Sequence, residues 1–322
     1  MPNKLTYLTF VLVLTLIMSV VVACDRELNE PSGGEVSVAT TTYPLTYLTE
    51  KIGGNRVVVN QVVKPGIEAH DFEPAPSDIR AITNSTLFIY NHPAFESWAL
   101  NAATAARNDG AERIVVVQTI NLESADEDHD EDHDEDHDED HDEDHGHDDD
   151  AHVWLNPLKA LEQSERILSA LIEVDPESSR DYTRNAAALS VELRALDDLI
   201  SRELANCNLG SVVVSHLAFG HIAERYGFEQ IGLAGLSPEF ESGPSQIAQV
   251  IDRIDALGIK HILREPIVSD RLAESVAAET GATLLTLHPL EVRTSAEASE
   301  GLDYIDIMKS NAATLHTALG CN

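Results

Sequence analysis

The chain has 322 residues and a formal net charge of −35, set by 56 acidic residues against 21 basic ones. That surplus excludes a surface built to bind nucleic acid and favours divalent cations over anions as partners. One run, Asp126 to Asp150, holds 18 of the acidic residues; the 38 that remain still leave a net −17.

Residues 1–23 carry one lysine, an apolar stretch and small residues ahead of Cys24, in "MPNKLTYLTFVLVLTLIMSVVVAC". This is the layout of a secretory signal peptide. Its ending "VVAC" resembles a bacterial lipobox, so Cys24 is expected to become a lipid-modified N-terminus, with a flexible tether over residues 24–35. The body then lies outside the cytoplasm, and its roughly 300 residues suffice for two modest domains. Cys207 and Cys321 remain, and in an oxidising compartment they are expected to pair as a disulfide.

From Val36, short β-rich runs alternate with helical patterns. "VSVATT" precedes "PLTYLTEKIG", "RVVVNQVV" precedes "SDIRAITNS", "TLFIY" precedes "AFESWALNAATAAR", and "RIVVV" closes the series. Apolar runs between helices read as buried parallel strands, which predicts an N-terminal α/β lobe over residues 36–122. Residues 123–150 contain five copies of Asp-Glu-Asp-His. This run has nothing apolar to bury that would offset the entropy of ordering, and like charges four apart repel on a helix, so a solvated loop is expected. Residues 151–205 read as a connector. Leu158, Leu161, Ile167, Leu168 and Leu171 recur at helical spacing, "DPESSR" is a break, and a second helix runs to about Leu204. The βα pattern returns over residues 206–322, from "SVVVSH" to "ATLLTLHPL" and a final helix ending near Leu319. The fold class is therefore α/β: two βα lobes with parallel-rich sheets, joined by a long rigid connector helix that allows only small closure. Ligands of such sheets bind beyond the carboxyl ends of the strands, so the interlobe cleft is the expected site.

Three histidines outside the acidic run fall where a cleft ligand would be met. His70 lies in "KPGIEAHDFEPAPSD", His152 in "DDAHVWLNP", and His216 ends "SVVVSH". Three imidazoles and one oxygen would satisfy Zn²⁺. Taken singly, each reads as well as a strand-end histidine bonded to backbone or a carboxylate, and spacing alone does not show that they converge.

Over nearly the whole mature chain, from "TTYPLTYLTEKIGG" to the last helix, the sequence resembles the zinc-type (cluster A-I) substrate-binding proteins of bacterial metal ABC transporters. "GIEAHDFEPAPSDIRAITNS" resembles their first ligand segment. "FIYNHPAFESW" resembles the next strand and loop, with His92 where the family usually has Gly. "DAHVWLNP" resembles the second ligand segment and "VSHLAFGHIAERYGF" the third; a long acidic, His-rich insertion before the second is characteristic of zinc-type members. The resemblance implies His70, His152 and His216 as metal ligands. The fourth position departs from the pattern. His288, in "LLTLHPLEVRT", stands where many members have Asp, whereas some zinc-type members use the Glu three residues on, here Glu291. Glu291 is favoured because a carboxylate compensates a dication better; His288 or a water stays open.

The resemblance further implies Zn²⁺ as the transported ligand, with Mn²⁺ disfavoured because manganese members carry a carboxylate at the position of His216. It implies an ABC permease as partner, attachment to the membrane through the lipid anchor, a monomer, and no enzymatic turnover. His129, His133, His137, His141, His145 and His147 in the acidic run read as an accessory metal collector or sensor, against the plainer reading of a solubilising loop. Glu265 could orient a liganding histidine. His221 reads as structural, His92 as cleft wall and His316 as solvated; Trp98 and Trp154 read as core. The rival functions are a zinc hydrolase, for which no HExxH-like pair or GxSxG is present, and a metal-carrying surface adhesin.

Overall fold

The structure, a computed structural model, describes residues 35–108, 115–120, 150–238 and 242–322. The signal peptide, Cys24, most of the tether, and His129, His133, His137, His141, His145 and His147 lie outside the described residues. Among the described residues no helix is long and apolar enough to cross a membrane.

The first lobe is a four-stranded sheet of β1 (Val36–Thr40), β2 (Val57–Gln61), β3 (Leu87–Tyr90) and β4 (Val115–Gln118), in the order β2-β1-β3-β4 with every pairing parallel. Its helices are α1 (Tyr43–Gly53), α2 (Pro76–Thr83) and α3 (Ser97–Asn108). β3, "LFIY", is buried at every residue, as a central strand covered on both faces must be. Val38 of β1 sits opposite Val59 on one side and Leu87 on the other, which fixes the register of the sheet core.

Two helices form the link, one on each side of the "DPESSR" break. α4 (Pro157–Val174) starts where Asn156 caps it, its side chain accepting from the Leu158 N–H at 3.0 Å, with Pro157 in the first turn. Asp175 makes the break, accepting from the Tyr182 hydroxyl at 2.8 Å. α5 (Ser179–Glu203) has 25 residues and so runs about 37 Å. It packs against both α4 and α1 of the first lobe.

The second lobe repeats the first. Its sheet is β5 (Ser211–Val214), β6 (Glu229–Gly232), β7 (His261–Arg264) and β8 (Thr283–Thr286), in the order β6-β5-β7-β8 and parallel throughout. Helices α6 (Gly220–Tyr226), α7 (Pro244–Leu257), α8 (Arg271–Thr280), α9 (Ser295–Glu300) and α10 (Tyr304–Ala318) complete it. α5 also packs on α10, and Asp197 in α5 accepts two hydrogen bonds from Arg225 (2.9 and 2.8 Å) and one from the Tyr226 hydroxyl (2.9 Å). One helix therefore grips both lobes.

The C-terminal region holds two helices where a single one was expected. Gly301, at φ 75°, ends α9, and Asp303 caps the start of α10. His316, expected in solvent, is half-buried and bonds the Glu203 carbonyl at 2.8 Å, pinning α10 to the end of α5. The sulfurs of Cys207 and Cys321 are 1.89 Å apart, a disulfide that closes the C-terminus onto the start of this lobe.

Candidate metal centre

Four segments bring the candidate ligands together, each from the carboxyl end of a sheet or from the connector. His70 comes from the β2–α2 loop, His152 from the turn before α4, His216 from the residues after β5, and Glu291 from the segment between β8 and α9. Their donor atoms all lie within 4.8 Å of one another. Glu291 Oε1 is 3.3 Å from His70 Nε2, 3.3 Å from His152 Nε2 and 3.5 Å from His216 Nε2. A tetrahedral ion with ligand distances of about 2.05 Å has donor–donor edges of about 3.3 Å, which the three edges from Glu291 match. All four atoms are buried and have no hydrogen-bond partner. Orphaned polar atoms cost about 1–3 kcal/mol each, and a bound cation would relieve all four at once.

Local structure makes each nitrogen available. The Glu68 carboxylate accepts from the backbone N–H groups of His70 (3.0 Å) and Asp71 (2.7 Å), folding the first loop into a turn that presents the imidazole. Asp150 Oδ1 accepts from the backbone N–H of His152 at 2.9 Å and from its Nδ1 at 2.7 Å. Glu265 Oε1 does the same for His216, at 3.2 and 2.7 Å. When the rings are neutral, with Nδ1 holding the one proton, the Nε2 lone pair of each points into the cluster. Phe95 walls the site, its ring centroid 4.6 Å from that of His70 and 5.4 Å from that of His152.

Electrostatics follow from this crowding. Burial would push the Glu291 carboxyl up, but the three surrounding imidazoles outweigh it and hold the group well below the usual carboxylate range. Burial likewise opposes charge on His216, yet Glu265 and then Glu291 raise its pKa to about 10. His152 moves up in the same way under Asp150 and Glu291, against burial.

The structure does not bring His288 to the cluster. Its Nδ1 accepts from the Leu290 N–H at 2.8 Å and its Nε2 donates to Glu297 at 3.1 Å, so neither nitrogen has a lone pair left for a metal. His92 Nδ1 accepts from the Ala94 N–H at 3.1 Å, folding its own loop. Trp154 is fully buried, as expected of core, but its ring also lies 5.3 Å from His152, and its Nε1 donates to the Pro289 carbonyl at 2.8 Å. Trp98 is partly buried, packing on Phe72 at 5.4 Å.

Sequence reasoning missed Asp150, hidden as the last of a long row of aspartates. It is 2% exposed, and His221 donates from Nε2 to its carbonyl at 2.7 Å. His221 is thus structural in a specific sense, locking the residue that orients His152. An Asp two residues before a candidate ligand was the available signal. Beside the cluster opens a cleft of ≈ 340 Å³, lined by Glu68 and Asp71 from the first lobe and by Ser215 and Arg271 from the second.

Residues 38–318 match the family described as "ZnuA: Zinc-uptake complex component A periplasmic". The chain belongs to the ZnuA family. It is 33% identical over 304 residues to the high-affinity zinc uptake system protein ZnuA of Bacillus subtilis, covering 93% of each chain. Among solved structures it is similar to the Zn(II)-bound ZnuA-like domain of Streptococcus pneumoniae AdcA, with a TM-score of 0.73 and 25% identity over 89% of this chain and 99% of that one. It is also similar to the laminin-binding protein Lmb of Streptococcus agalactiae, described as a bifunctional protein with adhesin and metal transporting activity. There the TM-score is 0.74 and the identity 27%, over 88% of this chain and 99% of that one. Membership of the ZnuA family accords with the two-lobe α/β fold and with a metal-binding transport component.

Proposed function

We propose that this protein is an extracytoplasmic lipoprotein that captures Zn²⁺ on His70, His152, His216 and Glu291 and delivers it to the permease of an ABC importer. The observation that carries the reading is the convergence of four buried, unpartnered donors, all within 4.8 Å of one another. Three imidazoles and one carboxylate suit Zn²⁺ better than Mn²⁺, which favours oxygen donors. Four protein donors close the shell and leave no open position for a reacting water, which argues for a carrier and against a hydrolase. Anchoring through Cys24 and metal collection by the acidic run are parts of the same proposal and rest on the sequence. An adhesin role is a second reading, favoured by the likeness to Lmb; binding of the metal-loaded protein to immobilised laminin tests it.

The test is calorimetric zinc titration of the soluble body that starts after Cys24, beside a variant lacking residues 126–149 and His152→Ala in that variant. The deletion stops short of Asp150 because that residue holds His152. One tight site in the deletion variant, lost with His152→Ala, supports the cleft site and an accessory loop. Loss of all tight binding on deletion would mean that the cleft is not the zinc site.

A further inference from the structure

The segment from His288 to Thr294, between β8 and α9, is hydrogen-bonded to both parts of the chain that supply the other lobe's ligands. The Pro289 carbonyl accepts from Trp154 Nε1, two residues past His152, at 2.8 Å. The Glu291 carbonyl accepts from the Tyr43 N–H at the start of α1 at 2.9 Å, and the Arg293 carbonyl accepts from the Gly66 N–H in the His70 loop at 2.8 Å. The Arg293 guanidinium also lies 4.2 Å over the Tyr43 ring. The segment is a strap from the second lobe that Pro289 pins to the connector and Glu291 and Arg293 pin to the first lobe.

Within the strap, Leu290 has φ 62°, the one non-glycine residue with positive φ among the described residues. A left-handed conformation is costly for leucine and persists only where the surroundings impose it. His288 is bonded to this residue's N–H. Its Nδ1 accepts the Leu290 N–H at 2.8 Å, closing a turn over Pro289. The residue is itself held at ring and backbone. Nε2 donates to Glu297 at 3.1 Å, the His288 N–H donates to Asn311 Oδ1 at 2.9 Å, and Asn311 Nδ2 donates to the His288 carbonyl at 2.7 Å. Glu297 Oε2 also accepts from the Thr294 N–H and hydroxyl, each at 2.8 Å, which fixes the carboxylate that receives Nε2. His288 is 4% exposed and Asn311 2%. The residue that follows the turn is Glu291.

We infer that His288 is a positioning residue: through the left-handed turn at Leu290 it aims the Glu291 carboxylate at the three imidazoles, and so sets the four-coordinate geometry before the metal arrives. The inference rests on the reading of His70, His152, His216 and Glu291 as the zinc site. Preorganisation of this kind disfavours cations that need more ligands, because a loose Glu291 would admit water and a larger shell.

The test compares His288→Asn with His288→Gln. Asn carries its acceptor oxygen at the same distance from the backbone as Nδ1 and closes the same turn with the N–H two residues on; Gln sets its oxygen one bond too far. Zinc affinity is read by chelator competition, and coordination number by the visible spectrum of the Co²⁺-loaded protein. His152→Ala serves as the control, and thermal melts of the metal-free proteins monitor the fold. H288N is expected to keep zinc affinity and the intense four-coordinate Co²⁺ bands. H288Q is expected to lose about 10–100-fold in zinc affinity, the range for groups that orient a ligand, and to show weakened bands. Equal affinities and equal spectra for the two variants overturn the inference. Undiminished zinc binding by His152→Ala would instead overturn the site reading, whatever the His288 variants do.

Discussion

Zinc binding at this site should release protons. His216 lies between Glu265, 2.7 Å from its Nδ1, and Glu291, 3.5 Å from its Nε2, and its pKa in the metal-free protein is raised to about 10. At pH 7 the ring therefore carries a proton on the nitrogen that must meet the metal. Removing it from a group titrating near 10 costs about 4 kcal/mol of the intrinsic zinc affinity at that pH. Each proton displaced makes the apparent affinity rise about tenfold per pH unit, or about 100-fold between pH 6 and pH 8. Calorimetry in two buffers of different ionisation heat counts the protons directly. The expected count at pH 7 is at least about one, since His152 is also raised. A count near zero, with affinity flat from pH 6 to 8, would refute the idea that the carboxylates charge the empty cluster.

Glu265→Gln removes the carboxylate that both raises and orients His216; zinc affinity should fall by about 10–100-fold while the proton count at pH 7 also falls, a pairing that simple unfolding would not give. The same group makes metal-free stability depend on pH. Its folded pKa lies above the unfolded value, so the stabilisation is full below pH ~6.5 and is lost as pH rises towards about 10. The melting temperature of the metal-free protein should fall across that window, and His216→Asn should flatten the slope. Replacing both Cys207 and Cys321 by Ser opens a link between residues 114 apart and should lower unfolding stability by about 2–5 kcal/mol in urea titrations, with zinc stoichiometry unchanged.

Much of the architecture was legible because its signals are local. "LFIY" and "SVVV" are apolar runs too short for helices and became buried parallel strands. The helical spacing of Leu158, Leu161, Ile167, Leu168 and Leu171 announced α4. His70, His152 and His216 stood out because each ended or followed a strand or opened the connector, and their segments resembled a known pattern. Other features depended on distant partners. The order β2-β1-β3-β4 follows from crossovers that no run of residues encodes. The single C-terminal helix that was expected is split at Gly301, whose left-handed φ ends α9.

Glu291 and His288 show the division most plainly. The resemblance read from the sequence left Glu291, His288 or a water to complete the shell. Tertiary structure places Glu291, and not His288, beside the three imidazoles. Glu297 and the Leu290 N–H occupy both nitrogens of His288, while Glu291 is buried facing three orphaned imidazoles. Asp150 was invisible for a related reason. In the chain it is one aspartate among many, and only its contacts with His152 and His221 distinguish it from them. Residue type and spacing determine what a side chain can donate; which donors meet depends on packing between segments far apart in the chain.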